Sequence, residues 1–318
     1  MHPIITLTMN SSVDVHYDVG RMESVKKLRA SEPLVFPGGG GINVSRVIKE
    51  LGSHSIAVFT AGGPTGEFLR EMLDHFGLLT RVVLIGQDTR ISATIYETET
   101  GEEFRPTPVG PSLTDAEWQA CFDAIFEYDA SYIVATGSLP VGVPTDFYAR
   151  VAEKAKSRGT RVILDTSGDA LGAALEVGVY LVKPNLLELQ TFTGRDAETP
   201  QEQDALARQF VLDGNAEVVV VSLGGDGALM ATRDGCLRLA APNVEVKSAV
   251  GAGDSFVAGM TLGLYQGRAI EDAFGLGLAT GTATVLTAGS ELCHRADVER
   301  FYQQITGRRL RLDAAVAA

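Results

Sequence analysis

The sequence has few cysteines, relatively few basic residues and no long apolar run. Its three cysteines are too widely spaced for a disulfide framework or a zinc site, which favours a reducing cytoplasm. Lys and Arg number 27 against 40 Asp and Glu, and the net charge of -13 argues against nucleic acid or an anionic membrane as the main partner. No apolar run reaches the roughly 18 residues of a membrane helix. The first residues lack the pattern of a signal peptide.

The 318 residues, 45% of them hydrophobic, are enough for one large α/β domain or two small ones. Short apolar runs, several rich in Val and Ile, predict buried strands at 4–9, 55–61, 132–136, 161–165, 180–182 and 217–222. Amphipathic stretches predict helices at 42–51, 65–76, 115–126, 145–158, 201–212 and 255–266. This alternation predicts a mostly parallel sheet with helices on both faces.

Two stretches break the alternation of strands and helices. Residues 13–35 contain strand-like pieces without a helix. Residues 91–98 and 103–105 flank Glu-Thr-Gly-Glu at 99–102, a composition that predicts a hairpin turn. Both stretches therefore predict a small antiparallel sheet outside the main one.

Four consecutive glycines at 38–41 precede Ile42, Asn43 and the first predicted helix. Glycine lets a ligand approach the backbone closely, and a helix start offers unpaired N–H groups and a positive dipole end. Asn43 on the first turn can hydrogen-bond a hydroxyl group. The run matches neither GxGxxG nor GxxxxGK(S/T), so the usual dinucleotide and P-loop patterns do not apply. A flexible loop that ends in a helix cap is the alternative interpretation.

A second glycine motif, Gly251-Ala252-Gly253-Asp254, leads into another apolar helix. Its turn can direct several backbone N–H groups toward one point, which suits the charge that develops on a transferring phosphoryl group. Asp254 stands where a carboxylate can accept the proton of an attacking hydroxyl group as a general base. It can equally be a first-turn acid that interacts only with the helix dipole.

Lys183, Asn185 and Glu188 follow directly after the predicted strand 180–182. Loops at the C-terminal ends of parallel strands are where α/β sheets bind ligands. Asn185 and Glu188 are three residues apart on the first turns of a helix, so they share a face and can orient Mg²⁺ through its waters. The same spacing also fits a capping box that binds no ligand.

The segment Ser-Leu-Gly-Gly-Asp-Gly at 222–227 follows the predicted strand 217–222. Its glycines can lie beneath the phosphates or the ribose of a nucleotide. A tight turn between two β-strands has the same composition, so the segment by itself leaves both interpretations open.

In this order, the four motifs resemble those of the PfkB carbohydrate kinases of the ribokinase superfamily. The glycine run matches the family's N-terminal signature, and AVGAGDSFVAG at 249–259 matches its C-terminal signature. Similarity continues through residues 137–140 and 182–185. The resemblance implies one ribokinase-like domain over residues 1–318. Its expected architecture is a three-layer α/β/α core with a mostly parallel sheet and a small antiparallel β lid, formed by segments 12–35 and 89–107.

The resemblance also implies a role for each matching residue. Asp254 is the implied general base, and the backbone of Gly251, Ala252 and Gly253 is the implied anion hole. ATP binding falls on Lys183, Asn185, Ser222, Gly224, Gly225, Gly227, Ser248 and Val250. The sugar and its phosphate fall on Asp14, Lys27, Arg29, Gly38, Gly39, Asn43, Arg90 and Ser138. Mg²⁺, which accompanies ATP, falls on Asn185 and Glu188, through water.

The implied acceptor is a sugar phosphate, with fructose 6-phosphate the first expectation. Relatives that use fructose 1-phosphate or tagatose 6-phosphate usually carry Lys where this chain has Gly40. Those activities, another sugar or nucleoside kinase and a non-catalytic sugar-phosphate sensor are the alternatives. Lids of this branch pair across a homodimer, so Lys27 and Arg29 are expected to reach the partner's site. K⁺ is a second cofactor that the resemblance implies, but Glu291 replaces a basic residue near the potassium-binding loop, so K⁺ activation is left open.

Overall fold

Two separate sheets and ten α-helices make up the part of the chain that the structure describes, residues 2–312 of a computed structural model. Both ends of the predicted domain 1–318 lie outside these residues. The strands are β1 Ile4–Thr8, β2 Ser12–Val19, β3 Leu34–Gly38, β4 Ile56–Ala61, β5 Leu79–Leu84, β6 Arg90–Glu97, β7 Glu102–Phe104, β8 Tyr132–Thr136, β9 Arg161–Asp165, β10 Val179–Val182, β11 Ala216–Ser222, β12 Ala228–Ala231 and β13 Cys236–Leu239.

The helices alternate with the strands along most of the chain. They are α1 Gly40–Glu50, α2 Gly63–His75, α3 Asp115–Ile125, α4 Phe147–Ser157, α5 Gly168–Val177, α6 Leu186–Thr193, α7 Pro200–Leu212, α8 Ala252–Tyr265, α9 Ile270–Thr284 and α10 Arg295–Thr306. Every strand and helix predicted from periodicity is present, with ends that differ by at most three residues. Within residues 2–312, no helix has the length and apolar character needed to cross a membrane.

The main sheet has nine strands in the order β13-β12-β11-β10-β9-β8-β1-β4-β5. Its pairings are parallel except for β11–β12 and β12–β13, which are antiparallel. One face is covered by α1, α8, α9 and α10, which contribute Val47, Phe256, Phe274 and Val298 to a buried apolar cluster. The opposite face carries α3, α4, α5 and α7, with Val151 fully buried in α4. The predicted three-layer arrangement is therefore confirmed.

A second, four-stranded sheet has the order β3-β2-β6-β7 and is built from the two segments predicted to form a lid. β2–β3 and β6–β7 are antiparallel, while the central pair β2–β6 is parallel. The turn predicted at 99–102 joins β6 to β7, and Gly101 has the positive φ of 76° that such a turn favours. Val13 of this sheet is buried with Leu69 of α2, which attaches the lid to the main body.

Both glycine motifs enter their helices earlier than periodicity predicts. α1 begins at Gly40 and α8 begins at Ala252, whereas the predicted starts are residues 42 and 255. Apolar periodicity cannot detect these first turns because their residues are small or polar. The same limit applies to α9, whose sequence is rich in Gly and Thr and has no clear apolar stripe. Its burial against α8 compensates for low helix propensity.

Candidate active site

The predicted functional motifs meet at one edge of the main sheet, where the parallel strands end. Ligands bind at such carboxyl-terminal edges in open α/β sheets. The N-termini of α1 and α8 meet there, because Asn43 Nδ2 of α1 donates a 2.9 Å hydrogen bond to Asp254 Oδ2 of α8. This pair joins two motifs that are 211 residues apart in the chain.

The glycine run is required for this close approach. A Cβ atom at Gly40 would lie 2.9 Å from Asp254 Oδ1 and would overlap the Thr136 hydroxyl at the end of β8. Gly39 is the N-cap of α1 and has a φ of 109°, which a residue with a side chain rarely adopts. The run is therefore a tightly fitted turn against Asp254, which favours the ligand-site interpretation over a flexible loop.

The first turn of α8 presents backbone donors beside Asp254. Gly251 is the N-cap, in the left-handed conformation with a φ of 73°. Among residues 2–312, the N–H groups of Gly253 and Asp254 have no hydrogen-bond acceptor, while the Ala252 N–H donates to the Ala249 carbonyl at 3.3 Å. Unpaired amides at a helix N-terminus favour a negatively charged ligand.

The Asp254 carboxylate is half-buried at this helix end, and its pKa is raised from 3.8 to about 6. Burial is the main cause, and the nearby carboxylates of Asp165 and Asp14 raise the pKa further. The Asn43 hydrogen bond and the charge of Lys183 act in the opposite direction. A carboxylate with a pKa near neutrality is better suited to accept a proton from a hydroxyl group than an ordinary surface acid.

Lys183, at the end of β10, lies beside the α8 N-terminus. Its ammonium group is 3.2 Å from Asp165 Oδ2, and its side chain is 9% exposed. Burial disfavours the charged form, but the Asp165 carboxylate outweighs it and raises the pKa of Lys183. A Cβ atom at Gly253 would lie 3.3 Å from Lys183 Nζ, so the missing side chain at 253 leaves room for this cation.

Asn185 and Glu188 form the capping box of α6. Asn185 Oδ1 accepts a hydrogen bond from the Glu188 N–H, and Glu188 Oε2 accepts one from the Asn185 N–H, each at 2.8 Å. Among residues 2–312, no three His, Cys, Asp or Glu side chains form a metal-binding cluster. Mg²⁺ commonly uses one or two carboxylates together with water and nucleotide phosphates. The Glu188 carboxylate, held in place by the capping box, fits that pattern.

The segment 222–227 forms a turn between β11 and β12, and it also lies beside the Lys183 loop. The Ser222 N–H donates to the Pro184 carbonyl at 3.2 Å. Gly224, Gly225 and Asp226 form an exposed 3-10 turn. At Gly227, where φ is 104°, a Cβ atom would overlap the Leu239 carbonyl. This geometry therefore fits both a loop that lies beneath a nucleotide and a tight turn between two β-strands.

Ser248 connects the segment before α8 to the lid. Its hydroxyl donates to Glu103 Oε2 of β7 at 2.8 Å and accepts a 3.2 Å hydrogen bond from the Val250 N–H. Glu103 also holds Arg105 through an ion pair of 2.6 Å. The lid thus contacts a segment to which the sequence assigns nucleotide binding.

Asp14 of β2 lies on the lid side of the cleft. Its carboxylate accepts hydrogen bonds from Ser12 at 2.6 Å and from Ser290 at 3.0 Å. A Cβ atom at Gly38 would overlap this carboxylate, so the first glycine of the run leaves the space that Asp14 occupies. Asp14, Gly38, Gly39 and Asn43 therefore line one continuous part of the cleft.

Arg90 and Ser138 meet through Asn10, at the end of β1. Arg90 Nη2 donates to the Asn10 carbonyl at 3.0 Å, and Nη1 donates to the Pro108 carbonyl at 2.8 Å. The Asn10 amide donates to Ser138 Oγ at 3.2 Å. Burial lowers the pKa of Arg90 against the opposing effect of Asp14, but a guanidinium keeps its charge at neutral pH. Arg90 therefore places a positive charge beside the residues assigned to the sugar.

Comparison with known proteins agrees with this geometry. The pfkB family carbohydrate kinase domain matches residues 4–296. The chain belongs to the PfkB family of carbohydrate kinases. The ATP-dependent 6-phosphofructokinase isozyme 2 of Mycobacterium tuberculosis is 43% identical over 302 residues, which cover 94% of this chain and 89% of that protein. The 1-phosphofructokinase of Bacillus subtilis is 36% identical, with 95% and 97% coverage.

Solved structures agree with the family and the fold. Phosphofructokinase-2 of Escherichia coli in complex with fructose-6-phosphate is 35% identical, with a TM-score of 0.91 over 96% of this chain and 100% of that chain. The same enzyme in complex with potassium is 36% identical, also with a TM-score of 0.91, over 96% and 99%. Arabidopsis thaliana ribokinase, 19% identical over 95% and 99%, shares the fold with a TM-score of 0.74. This PfkB protein is therefore a ribokinase-like sugar kinase that transfers phosphate to an alcohol.

Lys27 and Arg29 stand apart from the rest of the predicted PfkB site. Both are exposed on the segment between β2 and β3, and neither makes a side-chain hydrogen bond or ion pair within the described part of the chain. Their predicted role in holding a sugar phosphate stays a prediction.

Several residues of the cleft were not predicted from the sequence. Five such residues lie against residues that the sequence did predict: Asp165, Asn10, Ser290, Thr136 and Arg46. Asp165 and Thr136 are the last residues of two predicted strands. Ligands bind at the carboxyl ends of such strands, so the positions of these two residues already indicated the site. Ser290 and Arg46 lie within loop and helix patterns that carry no comparable signal.

Proposed function

We propose that this PfkB kinase transfers the γ-phosphoryl group of ATP to fructose 6-phosphate, forming fructose 1,6-bisphosphate, ADP and a proton. The contact between Asn43 and Asp254 carries the proposal, because it puts a carboxylate with a raised pKa between the glycine-run helix and the open amides of α8. The family relationship supports a sugar acceptor, and two relatives at 35% and 43% identity carry names that refer to fructose 6-phosphate or its kinase.

In this mechanism Asp254 accepts the proton of the sugar's primary 1-hydroxyl group. The resulting oxygen attacks the γ-phosphorus in line with the leaving ADP oxygen. The Gly253 and Asp254 N–H groups, together with Lys183, face the negative charge that grows on the phosphoryl oxygens. The lid excludes water, which would otherwise be an alternative acceptor.

The nucleotide is expected on the opposite side of Asp254 from Asp14, along the loops after β10 and β11. Lys183, Asn185, Ser222, Gly224, Gly225, Gly227, Ser248 and Val250 would contact it. Glu188 and Asn185 would hold Mg²⁺ through its waters, and Mg²⁺ neutralises charge on the phosphates when bound. K⁺ is not required by the mechanism. Arg46 already donates a 3.3 Å hydrogen bond to the carbonyl of Glu291, the residue that departs from the potassium-binding relative.

The sugar's own phosphate is assigned to Arg90, with Lys27 and Arg29 from the partner subunit of a homodimer. The lid supports a dimer because three of its apolar side chains are solvent-exposed: Leu34 at 43%, Ile91 at 48% and Phe104 at 38%. Ile91→Glu is expected to convert a dimer to monomer in sedimentation analysis. A monomeric wild-type protein would exclude this arrangement.

The acceptor is tested by coupled ADP release with fructose 6-phosphate, fructose 1-phosphate, tagatose 6-phosphate and ribose in parallel. We expect the highest kcat/KM with fructose 6-phosphate. A higher value with fructose 1-phosphate would identify a 1-phosphofructokinase, which the Bacillus subtilis relative makes the second candidate. No turnover with any of the four would favour a sugar-phosphate sensor, although the base and the helix amides that such a protein could lose are both present.

A further inference from the structure

Arg46 is a buried cation on α1 that the mechanism above does not use. It lies three residues after Asn43 and is 6% exposed. Among residues 2–312, no carboxylate forms an ion pair with it. Burial lowers its pKa to about 10, so the guanidinium still carries its charge at neutral pH. A buried charge without an ion pair is costly, and its contacts must supply compensation.

Three oxygen acceptors and two aromatic rings hold this guanidinium in one orientation. Nη1 donates to the Pro37 carbonyl at 3.1 Å and to Asn43 Oδ1 at 3.3 Å, while Nη2 donates to the Glu291 carbonyl at 3.3 Å. Phe76 and Phe36 lie 4.9 and 5.4 Å from its central carbon. These contacts connect α1 to β3, to Phe76 at the end of α2 and to the loop after α9.

The contact with Asn43 decides which way the Asn43 amide points. A guanidinium only donates hydrogen bonds, so the amide oxygen must face Arg46. The amide nitrogen then faces Asp254, where it donates to Oδ2 at 2.9 Å. If the amide were reversed, an N–H group would face a cation and an oxygen would face the carboxylate.

We propose that Arg46 is a positioning residue for Asp254: it locks the Asn43 amide so that its N–H group points at the carboxylate and keeps it ionised and oriented. The proposal rests on the proposed function, in which Asp254 is the general base. Arg46 acts through Asn43 and does not itself contact Asp254.

Asp254 is sensitive to this lock because the Asn43 hydrogen bond is the strongest influence that favours its ionised form. Asn43 from α1 and Lys183 after β10 favour the carboxylate, while burial, Asp165 from β9 and Asp14 from β2 favour the protonated acid. Without Arg46 the Asn43 amide is free to rotate, and the carboxylate loses a donor or faces an oxygen. Protonated Asp254 cannot accept the hydroxyl proton, so the acidic limb of the kcat profile is expected to move to higher pH.

The measurement is kcat against pH with saturating substrates for wild type, R46M and R46K. Arg46→Met keeps an apolar stem and removes every donor. Arg46→Lys keeps the charge but cannot span three acceptors with one nitrogen. We expect the apparent pKa of the acidic limb to rise by at least about 0.5 pH unit in both variants, with kcat at pH 6 lower by about 2-fold or more. If the apparent pKa of the acidic limb is unchanged in both variants, the proposal is wrong. If it is unchanged in R46K alone, the effect comes from the positive charge at residue 46 and not from the orientation of the Asn43 amide.

The Glu291 contact offers a second route from Arg46 to the site, and a double-mutant cycle separates the two routes. If Arg46 acts through Asn43, R46M adds little to the limb shift already present in N43A. A full additional shift in N43A/R46M would refute the Asn43 route. Val151→Ala is the control for lost stability, because it truncates a buried side chain of α4 on the opposite face of the sheet. The apparent pKa of its acidic limb should equal that of wild type.

Failure of the base assignment is distinguishable from failure of the Arg46 proposal. If Asp254→Asn retains turnover, Asp254 is not the base and the proposed mechanism is wrong. If Asp254→Asn is inactive while R46M and R46K keep the wild-type limb, only the Arg46 proposal is wrong. If R46M does not fold, R46K carries the test by itself, because its limb must still move.

Discussion

Leu292 places its Cδ2 atom directly over Gly251, in the space that a side chain at 251 would occupy. Leu292 has a φ of 73°, a left-handed conformation that is uncommon for a residue with a side chain, and Gly251 has the same φ of 73° at the N-cap of α8. The two residues join the loop after α9 to the helix start that carries Asp254. Their close fit makes Gly251 sensitive to a single added methyl group.

Gly251→Ala is expected to lower kcat by at least about 10-fold, since about 1.4 kcal/mol of lost transition-state stabilisation corresponds to that factor. The new Cβ would displace Leu292 or the first turn of α8, and the helix amides would move. Gly267→Ala is the matched control, because Gly267 has a φ of 70° but open space around its Cα. It should cost about 1 kcal/mol of stability at unchanged kcat. A kcat for Gly251→Ala equal to that of Gly267→Ala would show that the Leu292 contact does not control the position of the helix amides.

Asp254→Asn is expected to lower kcat by at least about 100-fold while leaving ATP affinity near that of wild type. The amide cannot accept the hydroxyl proton, but it preserves the size of the side chain. Steady-state kinetics and calorimetric titration with a non-hydrolysable ATP analogue check the two parts. Asp115→Asn removes another first-turn acid, on α3, and should retain normal turnover. Near-normal turnover of Asp254→Asn would restore the interpretation of Asp254 as a helix-dipole acid.

The same substitution is expected to stabilise the folded protein above pH 6. The folded pKa of about 6 exceeds the ordinary value of 3.8, so the folded state binds more protons than the unfolded state between these pH values. The free energy of unfolding of wild type therefore falls as pH rises through this window. Asp254→Asn has no group that titrates at this position, so it does not show that fall. We expect its Tm at pH 8 to exceed that of wild type by about 2–4 °C, as about 1 kcal/mol would produce. The difference should shrink at pH 4, and a constant difference would exclude titration of Asp254 as the cause.

Arg90→Ala is expected to raise the KM for the sugar phosphate at least about 10-fold, with a much smaller effect on the KM for ATP. The substitution removes a cation beside Asn10 and Ser138 and leaves the Asn10 and Pro108 carbonyls without their donor. Arg70→Ala, which breaks an exposed ion pair on α2, is the control and should change neither KM. Equal increases in both KM values would indicate that Arg90 supports the cleft without binding the phosphate.

Local patterns were sufficient for most of the secondary structure and for the motifs. The apolar runs predicted six strands of the main sheet, and one glycine between strand-like pieces predicted the turn at 99–102. The two edge strands β5 and β13 and the Gly- and Thr-rich α9 were not predicted, because their conformation depends on neighbours and not on their own periodicity. Capping of α6 by Asn185 and Glu188 was predictable since it involves residues three apart.

By itself the sequence determined which segments carry glycine turns, helix starts and chemically useful side chains, because spacing along the chain controls local backbone geometry. Tertiary structure alone decided that Asn43 donates to Asp254, that Asp165 holds Lys183, and that Arg46 donates to the Glu291 carbonyl. These contacts join segments of different strands and helices, and burial between them sets the pKa of Asp254. No local pattern encodes such distances, which result from packing α1 and α8 on one edge of a parallel sheet.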